Sequence, residues 1–433
     1  MNCVRQKTPC RKIERLVNVL FMKKHYVLTL LLLCALGVLT CLLSMPLLAD
    51  AAPKVTIEWL IKPQFDMAND FACGVAWVEE EEKGKDAWLQ TKRKWKQIDQ
   101  KGNVLIDNYV ADRIFSYDQE TKLASFSNSQ RLRGYMDLTG EAVVPPQYRF
   151  VTHFKEGLAS VGQKSGDETF EGVIDRHGKT ILPIVYESLS IVNHNLFVVR
   201  QGEKWGYVDS KGDAITDFLF DVDFVVPIDL PGVFAAQLNG KVGLLDLKGE
   251  WVLPAVYDGL HEGREGLIGL EKDGKVGFVD ATGKTVLDFR FEGMSGWDGQ
   301  SYYTFSEGLA TVLLTKLPPF LPEKITAASI AAGTAFGFKM EDVRSGVIGK
   351  SGNLLFEFRG MPWSLFTGGL LVVQSSDDTY GVIDRDGKLY PLPKNVELVS
   401  SAGLSERILR VKVREGLGLR ARDKYGYLKI NVK

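Results

Sequence analysis

From about residue 55 onward, apolar and polar positions alternate along this chain. The alternation runs for four to seven residues at a time, is rich in Val, Ile, Tyr and Phe, and stops at glycines. A period of two marks a strand with one packed face, whereas a helix repeats every 3.6 residues. No long stretch after residue 52 keeps the helical period, so this part is predicted to be all-β, in short strands. One earlier segment is different: Tyr26 to Leu48 is 23 residues without a charge.

The strand-like pattern repeats. A phrase of Gly, an aromatic or aliphatic residue, an aliphatic residue, Asp, two variable residues and Gly reads GYMDLTG at 134–140, GVIDRHG at 172–178 and GYVDSKG at 206–212. It continues as GLLDLKG at 243–249, GFVDATG at 277–283 and GVIDRDG at 381–387. Degenerate copies are KQIDQKG at 96–102, GVIGKSG at 346–352 and a truncated GYLKINV at 426–432. Most steps are 34–38 residues, and the 69-residue step is one unit plus an insertion at about 315–344. Between copies lies a second phrase, an aliphatic stretch often with Pro, then Tyr or Phe, then an acid, as in Leu182-Pro183-Ile184-Val185-Tyr186-Glu187. A third is Phe-x-Glu-Gly-Leu-Ala, at Phe154 to Ala159 and Phe305 to Ala310.

Each repeated residue has a local reason. Asp137, Asp175, Asp209, Asp246, Asp280 and Asp384 stand where an Asp side chain can bond its own downstream backbone, and the glycine three residues on accepts positive φ. Gly134, Gly172, Gly206, Gly243, Gly277 and Gly381, which open the phrase, let a neighbouring backbone or ring approach closely. At Lys204-Trp205-Gly206-Tyr207-Val208-Asp209 the phrase takes its fullest form. Over residues 55–433 the combination resembles the bacterial WG-repeat family. Only Trp205 is the tryptophan before the glycine, and Gly349 replaces Asp in the seventh copy. The fold expected is tandem repeats of about 35 residues, each with three or four short antiparallel strands, closed into a propeller-like ring or left as an open β-superhelix. The last unit lacks the strand that normally comes after the Asp turn, and Lys54 to Asp66 looks like that strand. The N-terminus is therefore expected to complete the C-terminal unit, which would remove a sheet edge.

The uncharged segment is preceded by Arg5, Lys7, Arg11, Lys12, Arg15, Lys23 and Lys24 against Glu14 alone. A basic flank is retained in the cytoplasm, so the chain beyond the uncharged segment is expected to be exported. Leu48-Ala49-Asp50-Ala51 offers small residues for signal cleavage after Ala51, while 23 residues also suffice for an uncleaved anchor helix. Residues 1–51 are thus read as an extension plus signal or anchor, with Met22 as an alternative start, and 52–433 as the repeat domain. Without 1–51 the chain carries 46 basic and 52 acidic residues. That balance gives no reason to expect nucleic acid, and the membrane is expected to be met only through the N-terminal segment.

No catalytic residue, cofactor or metal is predicted. Cys73 is the one cysteine beyond Cys41, so no intramolecular disulfide is expected after cleavage. The recurrent Asp residues supply one carboxylate per repeat rather than the clustered oxygens that calcium needs. His153, His177, His194 and His261 fall at different repeat phases and are expected at surfaces or edges. Tyr148, Tyr186, Phe220, Tyr257 and Phe291 share one phase, which suits a core stripe or, in the rival reading, a sugar-stacking ladder. The insertion, with Phe320, Phe336 and Phe338 as contacts, is the candidate partner surface. The function expected is a non-catalytic exported scaffold of the bacterial envelope that binds an envelope protein or cell-wall polymer. A glycan-binding module or an envelope hydrolase is the alternative.

Overall fold

In the computed structural model every described strand pairs within small sheets of three or four, apart from one sheet of seven. The structure describes residues 55–80, 93–220, 228, 230, 232–293, 302–317, 342–376, 379–400, 402–415 and 422–432. The N-terminal extension and signal or anchor helix lie outside them, as do Phe320, Phe336 and Phe338. Among the described residues there is one short 3₁₀ turn, Ala402–Glu406, and no helix long and apolar enough to cross a membrane.

Within the unit Val55–Asn431 the strands group into nine blades among the described residues, one per sequence repeat. Blade 1 contains Met67–Ala68, Val75–Glu79, Arg93–Asp99 and Val104–Ala111. Blade 2 contains Arg113–Tyr117, Ala124–Ser127, Arg133–Met136 and Ala142–Tyr148. Blade 3 spans residues 150–186, blade 4 residues 189–220, blade 5 residues 228–257 and blade 6 residues 259–292. Blade 7 spans residues 302–359, joined to blade 6 in the seven-stranded sheet by one pair, Glu292 with Leu313. Blade 8 contains Met361–Pro362, Leu370–Ser376, Thr379–Asp384 and Leu389–Pro391. Blade 9 contains Glu397–Ser400, Ile408–Glu415 and Arg422–Val432, and its fourth strand is Val55–Phe65 from the other end of the chain.

The glycine that opens each phrase is explained by strand register. In blade 2, Arg133 pairs with Tyr148 and Tyr135 with Val144, so the fourth strand spends two extra residues opposite Gly134. Blades 3, 5 and 6 carry the same bulge opposite Gly172, Gly243 and Gly277. The bulged backbone presses inward: a Cβ on Gly134 would lie 2.2 Å from the Val144 carbonyl oxygen. Prolines of the second phrase, such as Pro145, Pro146 and Pro183, sit in these bulges, where no regular ladder hydrogen bond needs their missing N–H. Where Lys96 replaces the glycine, the bulge shrinks to one extra residue.

Blades hold together by facing each other across apolar seams, each a separate cluster. Between blades 2 and 3 the cluster joins Tyr135, Val144 and Tyr148 to Phe154, Val161 and Ile174. Between blades 9 and 1, Ile61, Phe65, Ile408 and Tyr427 pack on Phe71, Val78 and Ile98. That last seam decides between ring and open array. Blade 9 comes after blade 8 along the chain and packs on blade 1, so the series closes. Polar contacts reinforce the joint: the Tyr427 hydroxyl donates to the Asn69 carbonyl at 2.6 Å, and Lys424 pairs with Asp66 at 2.5 Å. Arg410 Nε lies 3.3 Å from buried Asp70. Burial raises the Asp70 pKa, and Arg410 and Ser400 oppose that rise.

The close approach makes a prediction. Gly134→Ala should cost about 3 kcal/mol or more, because backbone must move to admit the methyl. Gly202→Ala, at φ +63° with open space around it, should cost only about 1–2 kcal/mol of backbone strain. Chemical denaturation of both variants checks this, and equal losses would refute the bulge explanation.

Candidate binding cleft

The turn aspartates act on their own backbone. Asp137 Oδ1 accepts from the amides of Thr139 (2.9 Å) and Glu141 (3.1 Å), and Gly140 N–H closes the turn on the Asp137 carbonyl at 3.0 Å. Asp175, Asp209, Asp246, Asp280 and Asp384 make the same pair of amide bonds. In Asp137 the Thr139 hydroxyl, and in Asp209 the Asp213 amide, leads the bonds that hold the carboxyl below its ordinary pKa. At Gly349 the backbone turn persists without the side chain, through Gly352 N–H to the Gly349 carbonyl. Among the described residues no three His, Cys, Asp or Glu side chains group as a metal site.

The glutamates of the third phrase have a role that its spacing did not reveal. Glu156, Glu265 and Glu307 have φ of 51°, 54° and 55°, each followed by a positive-φ glycine. These are the paired left-handed residues of a tight hairpin turn, and they strain a non-glycine residue. Each carboxylate reaches to the corresponding turn of the next blade. Glu156 accepts from the His194 amide at 2.8 Å, and Glu265 from the Gly308 amide at 3.0 Å. Glu307 accepts from the Gly368 and Gly369 amides at 2.6 and 2.9 Å and pairs with Arg385 at 2.8 Å. Glu406 clasps blade 9 to blade 1 through the Gly74 amide and Gln100, and reaches Gln119 of blade 2. Partial burial opposes ionisation of Glu307, but Arg385 and the two glycine amides outweigh it and hold the pKa below 4.5.

His261 differs from the other three. His153, His177 and His194 are exposed, but the Nε2 of His261 is shut from solvent without a hydrogen-bond partner. Its ring lies 4.5 Å from that of Tyr303. Burial alone pushes its pKa down to about 4.

The aromatics of the second phrase plug the seams. By register each stands opposite the residue that precedes the phrase glycine: Tyr148 opposite Arg133, Tyr186 opposite Glu171, Tyr257 opposite Val242 and Phe291 opposite Val276. Phe220 bridges Trp205 in the same way. Tyr148, Phe220 and Phe291 are buried, and Tyr186 and Tyr257 are half-buried. Each joins the cluster between its own blade and the next. The core-stripe expectation fits the packing of all five, with Tyr186 and Tyr257 keeping part of their surface exposed. Trp205, buried at 8% exposure, belongs to the same core.

At the seam between blades 8 and 9 the plug is missing. The other five aromatics lie eleven residues beyond the turn Asp; in blade 8 that count from Asp384 falls on Asn395. By register the place opposite Tyr380 goes to Leu392, whose amide donates to the Tyr380 carbonyl at 2.9 Å. Neither is aromatic, and a cleft of about 790 Å³ opens there, a size usual for ligand sites. Its floor is apolar and buried: Tyr380, Leu392 and Val396. Lys412 stands on one wall with Glu397 at 3.0 Å and Asp423 at 3.4 Å. Its pKa rises, first through the Glu397 bond and then against a smaller burial effect. Lys394 and Arg414 are exposed lining residues, and among the described residues neither has an ion-pair partner. A smaller cavity of about 360 Å³ lies at the seam of blades 4 and 5 beside Phe220 and the part-exposed Trp251. Sequence reading missed the larger cleft; counting residues from Asp384 to the missing aromatic was the available signal.

Comparison with known families rests on the same repeats. The WG containing repeat matches residues 58–83, 134–165, 172–205, 243–275 and 277–315. The chain is a WG-repeat protein. No curated protein sequence matches this WG-repeat chain. Its structure is similar to that described as the crystal structure of the eukaryotic initiation factor, at 12% identity and TM-score 0.42, over 68% of this chain and 78% of that one. BamB from Moraxella catarrhalis matches at 12% identity and TM-score 0.30, over 62% and 79%. The WD40 β-propeller domain of Doa1 matches at 15% and 0.26, over 54% and 86%. The ring assignment of the WG-repeat protein rests on its own strand pairing and seams.

The polar contacts make two further outcomes testable. Glu307→Ala should lose about 1 kcal/mol, the modest scale of an exposed charged clasp, and Glu307→Gly should lose less because it relieves the left-handed strain. The loss should be fully present above pH 4.5 and vanish as pH falls through the lower folded-state value, since protonation removes the clasp in the wild type too. For His261 the unfolded chain takes up a proton near pH 6.5 and the folded chain only near 4. Stability is therefore full above the upper value and falls on acidification between the two, by up to about 1.4 kcal/mol per pH unit. His261→Phe should remove that part of the slope, and urea titrations at stepped pH check both.

Proposed function

We propose that this WG-repeat protein is an exported, non-catalytic binding scaffold of the cell envelope, with the cleft between blades 8 and 9 as its binding site. The observation that carries the reading is the missing aromatic plug. Seams elsewhere are filled by a ring at one register position, and the departure leaves a ligand-sized cleft with charged walls. Its two acids, Glu397 and Asp423, share Lys412, an arrangement that suits recognition better than proton transfer. Rigid rings of repeats suit the holding of a partner, because each unit is fixed by its neighbours. Export is inferred from the uncharged Tyr26 to Leu48 segment behind its basic flank. The five same-phase aromatics support packing rather than sugar stacking, so an aromatic glycan ladder is the weaker reading.

The test uses the full chain in living cells, with a C-terminal tag and a photo-crosslinking residue at position 395 or, as control, at exposed Lys248. Protease should reach the tag once the outer layers are opened while the cytoplasmic membrane stays sealed. Position 395 should crosslink an envelope component that position 248 does not. A tag found only in the cytoplasm refutes export, and equal crosslinking at both positions refutes the cleft.

A further inference from the structure

The cleft between blades 8 and 9 is more specific than an opening. Lys394, Lys412 and Arg414 stand against Glu397 and Asp423 among its lining residues. Lys412 lies within ion-pair distance of both acids, so the lining keeps a net positive charge, with Lys394 and Arg414 as its cations without an ion-pair partner among the described residues. The same cleft has an apolar floor of Tyr380, Leu392 and Val396, with Pro391 and Pro393 among the lining residues. Tyr380 is 8% exposed, and its ring is edge-on to Trp363 at 5.4 Å. It therefore belongs to the core and presents no platform on which a sugar ring stacks.

From this juxtaposition we infer that the cleft takes an extended peptide segment in which an acidic side chain stands beside apolar ones. The inference rests on the reading of the cleft as the binding site. The carboxylate meets Lys394 and Arg414, where the planar guanidinium of Arg414 offers two parallel N–H donors. The neighbouring aliphatic side chain takes the space that Tyr or Phe fills in the other seams, over Leu392 and Val396. Such a ligand replaces the missing plug chemically: an apolar group for the seam and a negative charge for the two cations. An anionic polysaccharide supplies the charge but has nothing to bury on the floor.

The inference is tested with the full chain immobilised and a displayed library of random ten-residue peptides. Enriched sequences should carry Asp or Glu next to Leu, Ile or Val. Their synthetic forms should bind about tenfold more weakly to the Lys394→Gln/Arg414→Gln variant, whose thermal unfolding should match the parent. Peptides with Lys in place of the acid should regain binding to the Lys394→Glu/Arg414→Glu variant. Enrichment without acidic bias, or equal binding to parent and neutral variant, overturns the inference. So does saturable binding of oligogalacturonate that is lost in the neutral variant while no peptide is enriched. Crosslinking at position 395 separates the two failures. If it persists while the peptide test fails, the ligand class is wrong and the cleft stands; if both fail, the site itself is wrong.

Discussion

A sheet of three or four short strands has two faces to cover and cannot cover them alone. Packing across the seams is the constraint on which this molecule depends. Every blade buries one face on the blade before it and the other on the blade after it, so a free end would expose an apolar face to water. Lending Val55–Phe65 to the last blade removes that problem. The first strand of the unit joins blade 9, and the chain then passes directly into blade 1. The two end blades are thereby joined by covalent chain as well as by Ile61, Phe65 and Tyr427.

The local chemistry serves the same seams. Burial drives the Tyr135, Tyr207 and Tyr427 rings between blades, and each hydroxyl donates to a carbonyl of the next blade, at Thr152, Ala235 and Asn69. Losing water from those hydroxyls costs little because each finds a partner. The glutamate clasps add a second tie at the turns, and their left-handed backbone shows that the contact outweighs local strain. Bulges and prolines in the fourth strands also protect the outer edges, which would otherwise invite pairing with another chain. Blades 7 and 8 depart from this: Leu354–Arg359 pairs with Arg344–Gly349, and Leu389–Pro391 with Thr379–Asp384, without the two-residue bulge.

Regularity makes departures informative. Where the bulge is shorter the aromatic arrives earlier, as Tyr109 in blade 1 and Phe358 in blade 7, opposite Trp95 and Ser345. In blade 8 no aromatic arrives at all. The cleft therefore arises from a substitution at a position whose ordinary use is structural, and the surrounding charges give it chemical character. A repeat scaffold can open a cleft in this way without disturbing its other seams.

Strands, the repeat, the Asp turns, the need for glycine at Gly134 and its equivalents, and the donation of the first strand to the last blade all follow from the residue pattern. All of these depend on neighbours a few residues away or on one phrase recurring in phase, which is why they are legible in a linear string. The rest comes from packing between blades. Ring closure depends on small rotations summed over nine blades, and no single repeat encodes the sum. Glu307 reaches amides at Gly368 and Gly369, and the His261 ring lies on that of Tyr303, because residues tens of positions apart meet when one blade packs on the next. The cleft needed both sources. Counting residues marks Asn395, but only strand register shows Leu392 in the place of the ring, because the length of each bulge shifts the count.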